Sequence, residues 1–170
     1  MRILGLDPGS LHTGWGVVER HGARLVVLGH GRLSPPRDAA LAARLVELGR
    51  GLTDVVARLS PDVAVIESLF RGVNNRSLIV LAQARGVLLA TLAGTGVEIR
   101  EYSPAEIKSA VVGNGRADKR QVARMVALSL GVPASLSADA SDALAAALCF
   151  AQRQRVDALS ADRERPVRLG

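Results

Sequence analysis

Four acidic residues stand at positions where their carboxylates could share one site. Asp7 and Glu67 each end a short apolar run, 3–6 and 63–66, that has no helical period. Asp139 and Asp142 are three residues apart, a spacing that places both on one face of a helix. Carboxylates converging from two strand ends and one helix start would make an all-oxygen site suited to a hard cation such as Mg²⁺. Two such ions roughly 4 Å apart can activate water for attack on a phosphodiester and stabilise the leaving oxygen.

Each of these acids also has a purely structural explanation. The segment from Asp7 to Gly9 could be only a turn, and Glu67 a solvated strand end. Asp139 could cap its helix, where the helix dipole favours an acid. Like charges three apart repel, however, by about a few tenths of a kcal/mol, and a bound divalent cation would remove this conflict. Zinc is not expected, because the chain has one cysteine and three scattered histidines.

Basic and aromatic residues flank the acids. Lys119 opens a helix, where a cation is unfavourable unless an anion such as phosphate binds there. Lys108 could be either a phosphate contact or a solvated helix residue. Phe70, in a polar loop after Glu67, could stack on a base or fold back onto the core. Further positive charge near these loops comes from Arg71, Arg76, Arg116 and Arg120.

Composition places the chain among basic globular proteins. It has 170 residues, 48% of them hydrophobic, which is enough for one domain with a substantial core. The formal net charge of +6 suits contact with nucleic-acid phosphates. The single cysteine, Cys149, fits a reducing compartment. No leader segment is recognised and no apolar run is expected to approach the ~20 residues that span a bilayer, so we predict a cytoplasmic protein without membrane contact.

Hydrophobic periodicity and turn residues predict the elements that position these side chains. Strands are predicted at 3–7, 13–18, 23–33, 63–67 and 97–102. Helices are predicted at 38–59 with Asp38 as N-cap, at 77–92, at 104–112, from the cap Asp118 to Gly131, and at 139–155. Residues 1–155 are expected to form the domain, and 156–170 a disordered basic tail.

This order predicts an α/β fold in which a five-stranded mixed sheet carries helices on both faces. A site is expected outside the carboxyl ends of the parallel strands, where Asp7 and Glu67 stand. The helix at 77–92 is apolar on nearly all sides and needs burial on more than one face. It is either a central helix within one subunit or the interface of a two-fold dimer.

Six segments, in order, resemble RuvC-type Holliday junction resolvases across residues 1–152: LGLDPGSLHTGWGVV, AVIESLF, LAQARGVLL, IKSAVVGNG, DKRQV and ADASDALA. The resemblance implies a ribonuclease H-like fold and a homodimer that makes paired nicks in a four-way DNA junction, leaving 5′-phosphate and 3′-hydroxyl ends. It implies two Mg²⁺ ions, replaceable by Mn²⁺, held by Asp7, Glu67, Asp139 and Asp142. It also implies base stacking by Phe70, phosphate contacts by Lys108 and Lys119, and a branch-migration helicase complex of RuvA and RuvB as partner.

Two other functions remain open from the residues alone. The segment GLDPGS with TGWGVV is similar to the phosphate loop of actin-like ATPases and sugar kinases, which need a second lobe that 170 residues are not expected to supply. A non-catalytic junction-binding protein could use the same basic surface. Such a protein would be expected to lack one or more acids, and all four are present.

Overall fold

The computed structural model describes residues 1–68, 75–133 and 135–163. The strands among them are β1 (Arg2–Asp7), β2 (Thr13–His21), β3 (Arg24–Leu33), β4 (Val63–Glu67) and β5 (Glu98–Tyr102). The helices are α1 (Leu41–Leu59), α2 (Asn75–Thr95), α3 (Pro104–Val112), α4 (Lys119–Leu130) and α5 (Ala138–Arg163). The predicted succession of strands and helices is therefore confirmed.

The strands form one mixed sheet in the order β3-β2-β1-β4-β5. The first three strands are an antiparallel meander, whereas β4 runs parallel to both β1 and β5. In the β1–β4 register Leu6 lies beside Ile66. Asp7 and Glu67, the next residues of the two strands, therefore leave the same edge of the sheet side by side.

Helices cover both faces of the sheet, as predicted. Alternation along β1 sends Leu4 and Leu6 into the core under α1 and α2, together with Leu52 and Leu88. The opposite core contains Ile3 and Val65 of the sheet and is completed by residues of α3, α4 and α5. Side chains an even number of residues apart in a strand point to the same face of the sheet. Asp7 therefore points to the same side as Ile3, and Glu67 to the same side as Val65, which is the side covered by α3, α4 and α5.

Glycines let helix α5 lie directly on the meander. A Cβ atom built on Gly5 would come within 1.8 Å of the carbonyl oxygen of Ala143, and one on Gly14 within 1.9 Å of that of Asp139. Neither position can hold a larger residue unless the helix moves away. The close approach of α5 brings its first turn, with Asp139 and Asp142, to the edge where β1 ends.

Helix boundaries agree with the sequence where a capping motif is present. Ser103 with Glu106, and Asp118 with Gln121, form capping boxes at the starts of α3 and α4. The predicted start of α1 at Asp38 is wrong, because the helix begins at Leu41 and its N-cap, Ala40, makes no side-chain cap bond.

The last helix is longer than predicted. Helix α5 runs to Arg163, eight residues beyond the expected end at Arg155. The segment 156–163 contains no Gly or Pro that would stop a helix. Residues 164–170 of the predicted disordered tail lie outside the described part of the chain.

Helix α2 is buried on its inner side and leaves a large apolar side chain exposed on its outer side. Ala84, Leu88 and Leu92 are fully buried, whereas the side chain of Ile79 is 60% exposed. A helix buried on all sides within one subunit is therefore excluded. Among the described residues one stretch, Arg76–Thr95, is long and apolar enough to cross a membrane by length and composition alone, so the expectation that no apolar run approaches that length is wrong.

Candidate active site

Three of the four predicted acids line one cavity at the carboxyl ends of β1 and β4. The cavity has a volume of about 150 Å³. Asp7 and Glu67 enter it from the sheet, and Asp142 enters it from the first turns of α5. The remaining lining residues are Pro104, Ile107, Lys108, Lys119, Val122 and Ala145. The site is thus an acidic group with two lysines at its rim and an apolar wall supplied by α3, α4 and α5.

Negative charge in this cavity is only partly compensated. Burial, reinforced by the nearby carboxylates of Asp142 and Glu67, raises the pKa of Asp7 from 3.8 to about 7. Burial and Asp142 also raise the pKa of Glu67, while Lys119 and Lys108 act in the opposite direction. An uncompensated carboxylate cluster of this kind attracts a cation.

Lys119 supplies the positive charge in direct contact with the cluster. Its Nζ lies 3.2 Å from Oδ2 of Asp142, and this pairing raises the pKa of the lysine. The lysine side chain is 80% exposed, so it can leave the carboxylate for a phosphate oxygen at little cost. Its position in the first turn of α4 also suits an anion, because the free backbone N–H groups of that turn point outward.

Asp139 lies at the edge of the group and has a partner of its own. Its Oδ2 is 3.5 Å from Nη1 of Arg32 on β3, with both side chains partly exposed. Asp139 is one turn before Asp142 on α5 and contributes the smallest of the effects that raise the pKa of Asp7. In this arrangement its carboxylate does not line the cavity that the other three acids share.

The residues fit a hard divalent cation by their chemistry. The donors are carboxylate oxygens, which Mg²⁺ and Mn²⁺ prefer, and burial, followed by the neighbouring carboxylates, raises the pKa of Asp7. Within the described ranges no three Asp, Glu, His or Cys side chains are as close together as metal ligands. The acids would therefore have to approach one another for all four to bind metal.

The other residues predicted to bind nucleic acid lie in different parts of the molecule. Lys108 lines the cavity. Arg76 lies exposed in the first turn of α2, and Arg116 and Arg120 are exposed before and within α4. Phe70 and Arg71 lie outside the described residues.

Two arginines near the acids were not anticipated from the sequence. Arg32 pairs with Asp139, and Arg85 on α2 donates its Nε–H to the main-chain oxygen of Glu67 at 3.2 Å. A single arginine in a strand or a helix gives no sign of its partner, because both contacts join residues far apart in the chain. For Arg85 a signal existed, since it is the one charged residue in the run 77–95.

Comparison with known proteins gives a consistent result. Residues 3–150 match the family model described as Crossover junction endodeoxyribonuclease RuvC. Curated proteins of that name are 44% identical over 94% of both chains in Azorhizobium caulinodans, and 46% identical over 89% of this chain and 93% of the other in Chloroflexus aggregans.

Solved structures agree with these matches. Thermus thermophilus RuvC in complex with a Holliday junction substrate superposes with a TM-score of 0.86 at 29% identity, covering 92% of this chain and 96% of that one. The yeast mitochondrial resolvase Ydc2 has a TM-score of 0.65 at 11% identity and covers 95% of this chain and 83% of its own, which shows a common fold. The ribonuclease H-like mixed sheet expected from the sequence is confirmed.

Proposed function

The chain belongs to the RuvC family of crossover junction endodeoxyribonucleases, and we propose that the cavity at the ends of β1 and β4 is where it cuts DNA. Its activity is that of a nuclease that resolves Holliday junctions. The observation that carries the assignment of the site is the meeting of Asp7, Glu67 and Asp142 in one cavity beside Lys108 and Lys119. A family nuclease requires a divalent metal, and this is the described cavity that offers carboxylates from three elements.

We assign two Mg²⁺ ions, with Mn²⁺ as a substitute, to Asp7, Glu67, Asp139 and Asp142. The chemistry that the ions supply when bound is activation of a water molecule and stabilisation of the leaving oxygen of a phosphodiester. Hydrolysis adds the water oxygen to phosphorus and breaks the bond to the 3′ oxygen, leaving 5′-phosphate and 3′-hydroxyl ends. The exclusive use of carboxylates supports this assignment.

The protein's own side chains bind and orient the DNA strand. Lys119 exchanges Asp142 for a phosphate oxygen, and Lys108 holds the same strand from the other rim of the cavity. The exposed guanidinium groups of Arg76, Arg116 and Arg120 contact neighbouring phosphates, a role their surface positions permit. Phe70 and Arg71, in the segment after Glu67, are proposed to contact the bases and backbone at the junction centre.

A homodimer is the proposed working form. The outer side of α2 leaves Ile79 60% exposed, and a two-fold dimer along this helix would present two sites to a two-fold-symmetric four-way junction. We further propose a cytoplasmic protein that acts with the branch-migration helicase complex of RuvA and RuvB. The exposed apolar helix is then a subunit interface and not a membrane span.

The decisive experiment compares cleavage of a synthetic four-way junction and of a linear duplex, with and without Mg²⁺. We expect symmetric nicks in the junction only, and only with the metal present. Asp7→Asn should abolish cleavage and leave junction binding intact, because the variant keeps the shape of the side chain and loses its charge. Normal cleavage by this variant would contradict the site assignment, and nicking without any divalent ion would contradict the metal proposal.

A further inference from the structure

Arg85 occupies an unusual place for a charged residue. It lies on α2 beside the fully buried Ala84, and its own side chain is only 14% exposed. Taking a guanidinium group out of water is costly unless its donors are satisfied. The contacts that satisfy Arg85 therefore indicate what the residue does.

Arg85 contacts the last residue of β4, the proposed metal ligand Glu67, and a residue of the neighbouring strand β5. Its Nε–H donates to the main-chain oxygen of Glu67 at 3.2 Å, and its Nη2 forms an ion pair with the carboxylate of Glu101 on β5. One planar group thus joins α2, the last residue of β4 and the neighbouring strand. Arginine suits this task because its donors are held in a rigid fork.

The main chain of Glu67 is paired with a strand on one side only, because it lies beside Tyr102 of β5 but has no partner in β1. The register of β4 with β1 ends at Ile66, one residue before Glu67. On the other side, the N–H of Ser68 donates to the main-chain oxygen of Tyr102 at 2.9 Å. Arg85 adds a hydrogen bond to the Glu67 carbonyl itself, at the point where the β1–β4 ladder stops.

We infer that Arg85 is a positioning residue that fixes the Glu67 carboxylate for metal binding by holding the main chain of that residue. The inference rests on the proposed function of Glu67 as a metal ligand. Alternation places the Glu67 side chain on the α3, α4 and α5 side of the sheet, whereas Arg85 comes from α2 on the other side. Arg85 therefore acts on the Glu67 carboxylate through the main chain of that residue and not by contact with the carboxylate itself.

The test uses full-length Arg85→Met and Arg85→Lys, with Arg100→Met as matched control. Arg100 also pairs with a carboxylate on β5, with its Nε 2.6 Å from Glu98, but its side chain is 57% exposed and its contacts do not include Glu67. Three quantities are measured: the affinity for Mn²⁺ without DNA by calorimetry, junction binding without metal, and the Mg²⁺ concentration that gives half-maximal cleavage.

For Arg85→Met we expect Mn²⁺ affinity and cleavage at low Mg²⁺ to fall by about 10- to 100-fold, the usual effect of removing a group that orients a metal ligand. Junction binding should stay within about twofold of wild type. Arg85→Lys should recover part of the metal affinity, since it keeps the charge and one donor. Arg100→Met should match wild type in all three quantities.

Wild-type metal affinity in a folded Arg85→Met variant would overturn the inference. If that variant does not fold, the measurement on Arg85→Lys tests the inference instead. The inference then requires that the Mn²⁺ affinity of Arg85→Lys is at least about threefold weaker than that of wild type, and a smaller loss would overturn it. Failure of the wild-type protein to cut junctions would contradict the proposed function instead, because that result does not involve Arg85.

Discussion

The carboxylate of Asp7 has to be charged to bind a metal, yet the folded protein resists that charge. Burial, Asp142 and Glu67 together raise its pKa to about 7. Groups that serve catalysis commonly lower the stability of the empty site in this way. The acidic cavity is therefore a place where function and folding make opposite demands on the same side chains.

The metal-free protein should lose stability as pH rises. Between about pH 4 and 7 the folded state holds a proton on Asp7 that the unfolded state has released, so the free energy of unfolding falls with increasing pH across this window. Three pKa units correspond to about 4 kcal/mol at most, and relaxation of the site reduces this value. In Asp7→Asn the decline should largely disappear, so the variant is the more stable protein at pH 8.

Urea unfolding in the presence of a chelator, from pH 4 to pH 8, measures this effect. Adding Mg²⁺ should restore the stability of the wild type at pH 8 but not change Asp7→Asn to the same extent. Parallel curves for the two proteins at all pH values would contradict a raised pKa of Asp7 in the folded state.

Arg32 is expected to compete with the proposed metal for Asp139. Their contact of 3.5 Å joins two partly exposed side chains, so it contributes no more than about 1 kcal/mol. Arg32→Gln should therefore tighten Mn²⁺ binding without DNA by up to about fivefold. Calorimetry measures this, with Arg24→Gln, a loss of the same charge at the exposed far end of β3, as the control. An equal gain in Mn²⁺ affinity in both variants would mean that the loss of a positive charge, and not the release of Asp139, strengthens metal binding.

At the scale of elements, the position of α5 determines whether its acids reach the sheet. The absence of a side chain at Gly14 lets the main chain of Asp139 come within 1.9 Å of where a Cβ would stand. Helix α5 cannot keep this position beside any residue larger than glycine. The first turn of α5 is therefore as much a part of the site as the carboxylates that it carries.

Gly14→Ala should displace this turn and weaken the site. We expect a loss of about 1 to 3 kcal/mol in the free energy of unfolding from overpacking. A shift of the acids by ~1 Å can reduce cleavage by about 100-fold. Gly94→Ala in α2 is the control for the stability of the subunit, because nothing in the subunit lies within 4 Å of the added methyl group, and it should be neutral or slightly stabilising. Unfolding and single-turnover cleavage measure the two effects, and full activity of Gly14→Ala would show that α5 tolerates the displacement.

The sequence predicts those parts of the fold that depend on local patterns. Pro104 and the capping box at Asp118 predicted two helix starts, and the apolar runs before Asp7 and Glu67 predicted two strand ends, which the structure confirms. The start of α1 was missed because Asp38 is a good capping residue that the chain does not use. The capping preference of a single residue does not show whether packing against the rest of the protein makes the helix start one turn later.

Contacts between distant parts of the chain account for what the sequence did not predict in the site. That Asp139 pairs with Arg32, and that Arg85 holds Glu67, depends on how β3 and α2 pack against other elements. The glycines at 5, 14 and 16 were a usable sign of a close helix, because they lie on one face of two paired strands. These glycines can be interpreted in this way only once the register between β1 and β2 is known.

For the whole molecule, the proposed dimer joins two copies along α2. Helix α2 packs on α1 and the sheet with one side and leaves Ile79 60% exposed on the other. The same helix holds Glu67 through Arg85, so the proposed subunit interface and the proposed metal site share one element. Two copies joined along α2 would present two cavities related by a two-fold axis, which is the symmetry of a four-way junction.

Ile79→Glu should separate the subunits without unfolding them. A charge placed in an apolar interface is costly to bury, whereas the isolated subunit exposes this position to water, so the dimer should weaken by at least about 10-fold. Sedimentation analysis measures the change, and Leu128→Glu on α4 is the control because its side chain is 69% exposed on another helix. A monomer has one site per bound molecule, so single nicks should accumulate in place of paired ones, while the affinity for Mn²⁺ remains that of wild type. Paired nicking by a protein that sedimentation shows to be monomeric would contradict the view that the dimer coordinates the two cuts.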